Sequence, residues 1–227
     1  MLEITNTQVS GLINSVLASG YAMMTEPYAK PLSEYTEDSV EFQKGINRLK
    51  RLNNASLNTK VKCHNHALCG ITVDFDIKYP QYITPELQRY KFLDIITSSS
   101  KMHKLLKMDL DVACNELVSQ EAIDNLRVYI NQFNIIKDNN FEIFEFTTRT
   151  GKIIIKGAKE CLDYAWSQVL SNTPMGLELF MRCKTNYLCL QNIYYQRKDH
   201  KLFEWRTFCD WIESLPYART LILGFDD

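Results

Sequence analysis

Gly70-Ile71-Thr72-Val73-Asp74-Phe75-Asp76-Ile77 is where the period of the chain changes. Ile71, Val73, Phe75 and Ile77 alternate with Thr72, Asp74 and Asp76, the repeat of two that turns one face of a strand to a core and the other to water. On the N-terminal side the repeat is helical. Val9, Leu12, Ile13, Val16 and Leu17 recur at steps of three and four and predict an amphipathic helix from about Thr7 to Gly20. Pro27 and Pro31 interrupt the pattern, and Ser39 then stands as an N-cap before a second helix through Phe42, Ile46, Leu49 and Leu52. Residues 1–60 therefore read as a helical N-terminal part, with Arg48, Lys50 and Arg51 on its solvated face.

On the C-terminal side Pro80 and Pro85 bracket a turn, and a helix is predicted from Glu86 to Ile96, ended by Thr97-Ser98-Ser99-Ser100. Ile123, Leu126, Ile130 and Phe133 mark a further helix. Phe141–Phe146 and Ile153–Ile155 flank Thr150-Gly151 as a hairpin, and Cys161, Ala165 and Val169 resume helical spacing up to Pro174. Leu177, Leu179, Met181 and Cys183 alternate again as a strand, and Tyr187 to Ile212 is helical. Few strands in mixed order with many helices give an α+β fold, not an alternating α/β one.

Composition fits that reading and narrows the function. The chain has 227 residues, 45% of them hydrophobic and 23% charged, the proportions of an ordinary globular protein. A single domain over 1–227 is predicted, since one core serves up to roughly 250 residues. Eight Gly and six Pro are few for this length and favour long elements over a turn-rich sandwich. Twenty-six basic against 27 acidic side chains give a net charge of −1, so no general field holds the chain on nucleic acid or an anionic membrane. Neither is predicted as a partner. The first ten residues lack a signal-peptide pattern, and no apolar run reaches the roughly 18 residues of a membrane span. Seven cysteines without paired spacing suit reduced thiols, and a cytoplasmic location is predicted.

Three common chemistries have no support: there is no Gly-rich phosphate loop, no His-Glu-x-x-His and no Gly-x-Ser-x-Gly. Cys63-His64-Asn65-His66 with Cys69 collects metal-competent side chains, but a second ligand pair at zinc-finger spacing is missing, and no metal is predicted. A longer register carries more. Gln88-Arg89-Tyr90-Lys91 is followed, seven residues on, by Ser99-Ser100-Lys101-Met102. This resembles the signature of the flavin-dependent thymidylate synthases, the ThyX family: Arg-His-Arg, then seven residues, then Ser-x-Arg-Tyr. A family histidine preceding the strand falls on His64, and Phe75-Asp76-Ile77-Lys78-Tyr79-Pro80 is similar to the family's strand end. Farther on, Asn186-Tyr187-Leu188-Cys189-Leu190, Asn192 and Arg197 follow the family's Asn-x-Arg-x-Leu helix start, with Thr173-Pro174-Met175 resembling its lead-in.

The resemblance implies a ThyX-like fold, with a mixed or antiparallel sheet packed by long helices, and a homotetramer with active sites between subunits. It implies a methyltransferase of nucleotide biosynthesis: transfer of a one-carbon unit from methylenetetrahydrofolate to dUMP, with FAD carrying hydride from NADPH. Ser99 and Arg197 take the catalytic positions. Arg89, Glu86, Ser100, Lys101 and Arg197 take the substrate side; His64, Tyr90, Lys91, Asn186 and Asn192 take the flavin side. A uridylate carries a phosphate near −2 and a base edge of alternating donors and acceptors, which calls for fixed cations and directional polar groups. Several positions depart from the family: Tyr90 replaces His, Lys91 and Lys101 replace Arg, and Leu188 replaces an Arg that holds the flavin. Lysine keeps the charge but not the planar two-point fork. These departures leave a second reading open, a nucleotide-binding or interaction protein that keeps the fold without the reaction. Asn186 also reads as a helix cap, and Asn192 as a solvated helix residue.

Overall fold

The computed structural model describes residues 2–58 and 65–224, apart from the side chains of 55–58. In chain order the elements are β1 (Glu3–Ser10), α1 (Leu12–Ala18), α2 (Val40–Asn58), β2 (Thr72–Pro80), α3 (Thr84–Leu87), β3 (Asp94–Ser98), α4 (Lys101–Lys104), α5 (Leu110–Ala113), α6 (Gln120–Asn139), β4 (Ile143–Thr148), β5 (Gly151–Lys156), α7 (Ala158–Ser171), β6 (Glu178–Asn186), α8 (Tyr187–Arg197) and α9 (Phe203–Glu213). Short 3-10 turns join several of them, and a π-helical turn follows at Arg219–Leu223. The fold is α+β, with antiparallel strand pairs and many helices. The chain divides into two compact units, one of Leu2–Tyr79, Ile83–Ser98 and Phe180–Asp227, the other of Pro80–Tyr82 and Ser99–Leu179. Among the described residues no helix is long and apolar enough to cross a membrane.

The first unit is organised by a sheet of order β1-β2-β6-β3. The alternation that marked β2 in the sequence is its burial pattern: Val73, Phe75 and Ile77 are buried while Asp74 and Asp76 are not. β6 adds Met181 and Cys183, α8 adds Tyr187, Leu190 and Ile193, and α9 adds Trp205, Phe208 and Ile212. The Phe75 ring meets those of Phe208 at 5.9 Å and Trp211 at 4.6 Å. Each such side chain taken fully from water contributes about 1.5–3 kcal/mol, so this cluster is the main stabilising term of the unit. On the other face, Arg182 pairs with Asp76 at 3.1 Å and donates to the Asn6 carbonyl at 3.0 Å.

A polar seam also runs through this core. Asn65 Nδ2 donates to Gln191 Oε1 at 2.6 Å, Gln191 Nε2 donates to Asn53 Oδ1 at 2.7 Å and to the Ile222 carbonyl at 2.8 Å, and Asn53 Nδ2 donates to the Leu221 carbonyl at 3.0 Å. All three carboxamides are buried, where an unmade hydrogen bond costs about 1–3 kcal/mol. They tie α2 and α8 to the π-helical turn.

Two expectations are corrected in this unit. The predicted helix from Thr7 to Gly20 begins only at Leu12, because residues 3–10 pair antiparallel with β2, Ile4 opposite Ile77 and Val9 opposite Val73. Gly11, at φ 76°, turns the chain from strand to helix, a left-handed conformation that glycine adopts without steric cost. The predicted helix from Glu86 to Ile96 is instead the single turn α3 followed by strand β3, whose Ile95 lies opposite Cys183. Ile95, Ile96 and Thr97 are β-branched and favour a strand once a partner is offered.

In the second unit Ser119 caps α6 by accepting from the Ala122 N–H at 3.3 Å. Ile123, Leu126, Ile130, Phe133 and Ile136 form its buried stripe. α7 packs beside it through Cys161, Ala165 and Val169, with Phe133 against Trp166 at 5.5 Å. The hairpin β4–β5 forms where the sequence placed it, Thr148 opposite Gly151, and Phe146 packs its ring 4.7 Å from Tyr164.

Candidate functional site

Within the first unit, three of the sequence-predicted residues come together around one guanidinium. Glu86 sits on α3, Tyr90 just after it, and Arg197 at the C-terminal end of α8, where the helix dipole favours a cation. Arg197 Nη1 lies 2.9 Å from Glu86 Oε2, and Arg197 Nε donates to the Tyr90 hydroxyl at 2.7 Å. The Tyr90 hydroxyl in turn donates to Gln196 Oε1 at 3.3 Å. Only 15% of the Arg197 side chain is exposed, against 29% for Glu86, so water screens this pair less than a surface one.

A residue that sequence reasoning did not single out completes the cluster. Trp205, fully buried on α9, donates from Nε1 to Glu86 Oε2 at 2.5 Å and places its ring 4.6 Å from the Arg197 guanidinium carbon. The Tyr90 ring packs edge-on to it at 5.8 Å, with His200 on another side at 6.5 Å. In the sequence Trp205 shares the helical spacing of Phe208 and Ile212 and reads as core. The one available signal was chemical, since a buried indole N–H needs an acceptor.

Burial raises the Tyr90 phenol above its ordinary value, and the Arg197 hydrogen bond offsets this in part. The hydroxyl is therefore protonated at neutral pH, accepting from Arg197 and donating to Gln196. Arg197 is held by its Nε edge, by one Nη and by its face. Among the described residues no acceptor engages Nη2, whose two hydrogens remain as a directional donor pair.

The other predicted residues have different settings. Arg89 and Lys91 are exposed; Lys91 places its ammonium 6.0 Å from the Phe92 ring, and neither has an acidic partner among the described residues. Asn186 is the N-cap of α8, its Oδ1 accepting from the Cys189 N–H at 2.9 Å, and Asn192 is exposed on that helix. Ser99, Ser100 and Lys101 belong to the second unit, at the start of α4. Ser99 and Lys101 are half-buried there, and burial lowers the Lys101 pKa. His64 and Cys63 lie outside the described residues. Of the metal-competent stretch, His66 Nδ1 and Cys69 Sγ stand 3.7 Å apart, and among the described residues no group of three or more candidate ligands gathers.

Of the residues that the resemblance places on the flavin side, Lys91 has an exposed ammonium suited to a phosphate, and the Asn186 amide nitrogen is not used by the cap. In charge this donor set fits such a cofactor.

No protein-family model matches the chain, and no curated protein does. Solved structures match over nearly its whole length. The flavin-dependent thymidylate synthase ThyX of Helicobacter pylori, complexed with FAD and dUMP, gives a TM-score of 0.62 at 15% identity, covering 99% of this chain and 100% of that one. A second structure of ThyX from Helicobacter pylori, with FAD and dUMP, gives 0.61 at 15% identity over 98% of this chain and 97% of that one. The UMP/dUMP methylase PolB of Streptomyces cacaoi, bound with 5-Br dUMP, gives 0.57 at 9% identity over 99% and 95%. The chain is a divergent version of the fold of the flavin-dependent thymidylate synthases.

Proposed function

We propose that this protein binds a pyrimidine deoxynucleotide and FAD and transfers a one-carbon unit to dUMP. What carries the reading is the meeting of Glu86, Tyr90 and Arg197 in one half-buried cluster. They come from segments more than a hundred residues apart, and the resemblance had assigned all three to ligands. The two solved folds bound with dUMP or its bromo analogue support the nucleotide class. In this reading Arg197 presents its Nη2 edge to the nucleotide, a charge-assisted donor contributing about 1.5–3 kcal/mol. Arg89, in the same unit, supplies a second cation for the phosphate. Lys91 and the Asn186 amide face the flavin, with Asn192 on the same helix. FAD, when bound, carries hydride taken from NADPH, and methylenetetrahydrofolate is the one-carbon donor. Phe92, Ile96 and Phe180, each exposed by about 60%, support assembly with further copies of the chain, a homotetramer by resemblance.

Leu188 favours a second reading, nucleotide binding without flavin chemistry, because it puts an aliphatic side chain where the resemblance calls for a flavin-holding Arg. The absorption spectrum of the purified protein, with calorimetric titration of FAD and dUMP, separates the two. A bound flavin band together with dUMP binding supports the enzyme; dUMP binding by colourless protein that takes up no FAD supports the second reading. Arg197→Ala should weaken dUMP binding about tenfold or more. Wild-type protein that binds neither ligand overturns both.

A further inference from the structure

The geometry points to Trp205 as a positioning residue that sets Arg197 for its ligand, an assignment resting on the nucleotide-binding reading above. An arginine side chain is long, and a guanidinium free to swing loses entropy on every ligand it meets. Here Trp205 fixes it twice. Its ring lies under the guanidinium, 4.6 Å from the central carbon. Its indole N–H, through 2.5 Å to Glu86 Oε2, holds the carboxylate oxygen that lies 2.9 Å from Nη1. Tyr90, packed on the same indole at 5.8 Å, closes the Nε edge.

The indole therefore touches all three other members of the cluster, and each of those touches Arg197 or is Arg197. Glu86 alone would be a poor device for this purpose. A carboxylate that neutralises the cation also competes with an incoming anion, and without the indole it is free to rotate across the guanidinium toward Nη2. With Nε1–H on Oε2, Glu86 is confined to the Nη1 side and the Nη2 pair stays open. Trp205 itself is fully buried. It acts through Arg197 and Glu86 and makes no ligand contact of its own.

The test is a double-mutant cycle on the full chain, with dUMP affinity measured by calorimetry and folding checked by circular dichroism. Trp205→Phe keeps an aromatic face and loses the N–H; it should weaken dUMP about tenfold, and Trp205→Ala more, as expected for a desolvated cation–π contact. In the Arg197→Ala chain, Trp205→Phe should change dUMP affinity less than about twofold, because the group it positions is gone. A purely structural tryptophan would cost the same in both backgrounds, and that result overturns the assignment. If Trp205→Phe does not fold, the Trp166→Phe/Trp211→Phe protein, whose only indole is Trp205, replaces it. dUMP should then shift its emission, and an unchanged spectrum under saturating dUMP overturns the assignment. Wild-type protein that fails to bind dUMP overturns the nucleotide reading and this inference with it. Binding that is insensitive to Trp205→Phe overturns this inference alone.

Discussion

Asn186 shows how one side chain answers to two accounts. Its Oδ1 caps α8 at the Cys189 N–H, and in the proposed reading its amide nitrogen donates to a flavin. The cap predicts that Asn186→Ala lowers stability by about 1 kcal/mol and that Asn186→Asp, which retains the acceptor, does not; urea unfolding measures both. The flavin contact predicts that either substitution weakens FAD binding, since Asp lacks the donor. Trp205 carries a different lesson. Its spacing with Phe208 and Ile212 is that of an ordinary core face, so nothing in one dimension distinguishes it from its neighbours. Glu86 and Arg197 were legible only through a family register, because 111 positions of sequence separate the two partners of the ion pair.

At the level of elements, legibility followed burial. β2 and β6 have one face inside and one outside, and the alternation of their residues displays it. β3 is exposed along its length, so no alternation exists to be read and its isoleucines fit a helical repeat equally well. β1 is ambiguous for the related reason that Val9 suits either period. The β1–β2 pair contains an irregularity between Thr5 and Gln8, where Asn6 takes φ 49°. Asn6 Nδ2 donates to Asp76 at 2.5 Å, and this bond, followed by the Arg182 contact, holds the Asp76 carboxyl below its ordinary value. A group so depressed adds stability above the ordinary carboxylate range and loses it as pH falls through the folded value. Asp76→Asn should therefore be less stable than wild type at pH 7, and the difference should vanish on acidification. Equal pH profiles would exclude the pin. On α2, a Cβ at Gly45 would stand 2.6 Å from Val16 Cγ1 and 2.7 Å from the Val16 carbonyl oxygen. Backbone cannot yield cheaply, so Gly45→Ala should lower the melting temperature through overpacking of about 1–3 kcal/mol, outweighing the roughly 1 kcal/mol gained in helix propensity.

For the whole molecule the cysteines give a readout. Cys69, Cys114, Cys161, Cys183, Cys189 and Cys209 are free thiols, and burial pushes Cys183 and Cys209 up to about 12. Only the thiolate reacts. Iodoacetamide at pH 8 should therefore leave Cys183 and Cys209 unmodified in the native protein and label them on denaturation, as mass spectrometry of the digested chain would show; native labelling would mean that the β6 and α9 core opens locally. The carboxamide seam extends this cooperativity along the chain. Asn53 and Gln191 end on the carbonyls of Leu221 and Ile222, so a stop codon placed ahead of Thr220 deletes acceptors for donors on α2 and α8. Those amides would be stranded in a dry interior, and the damage from so late a truncation would surface in helices encoded far upstream.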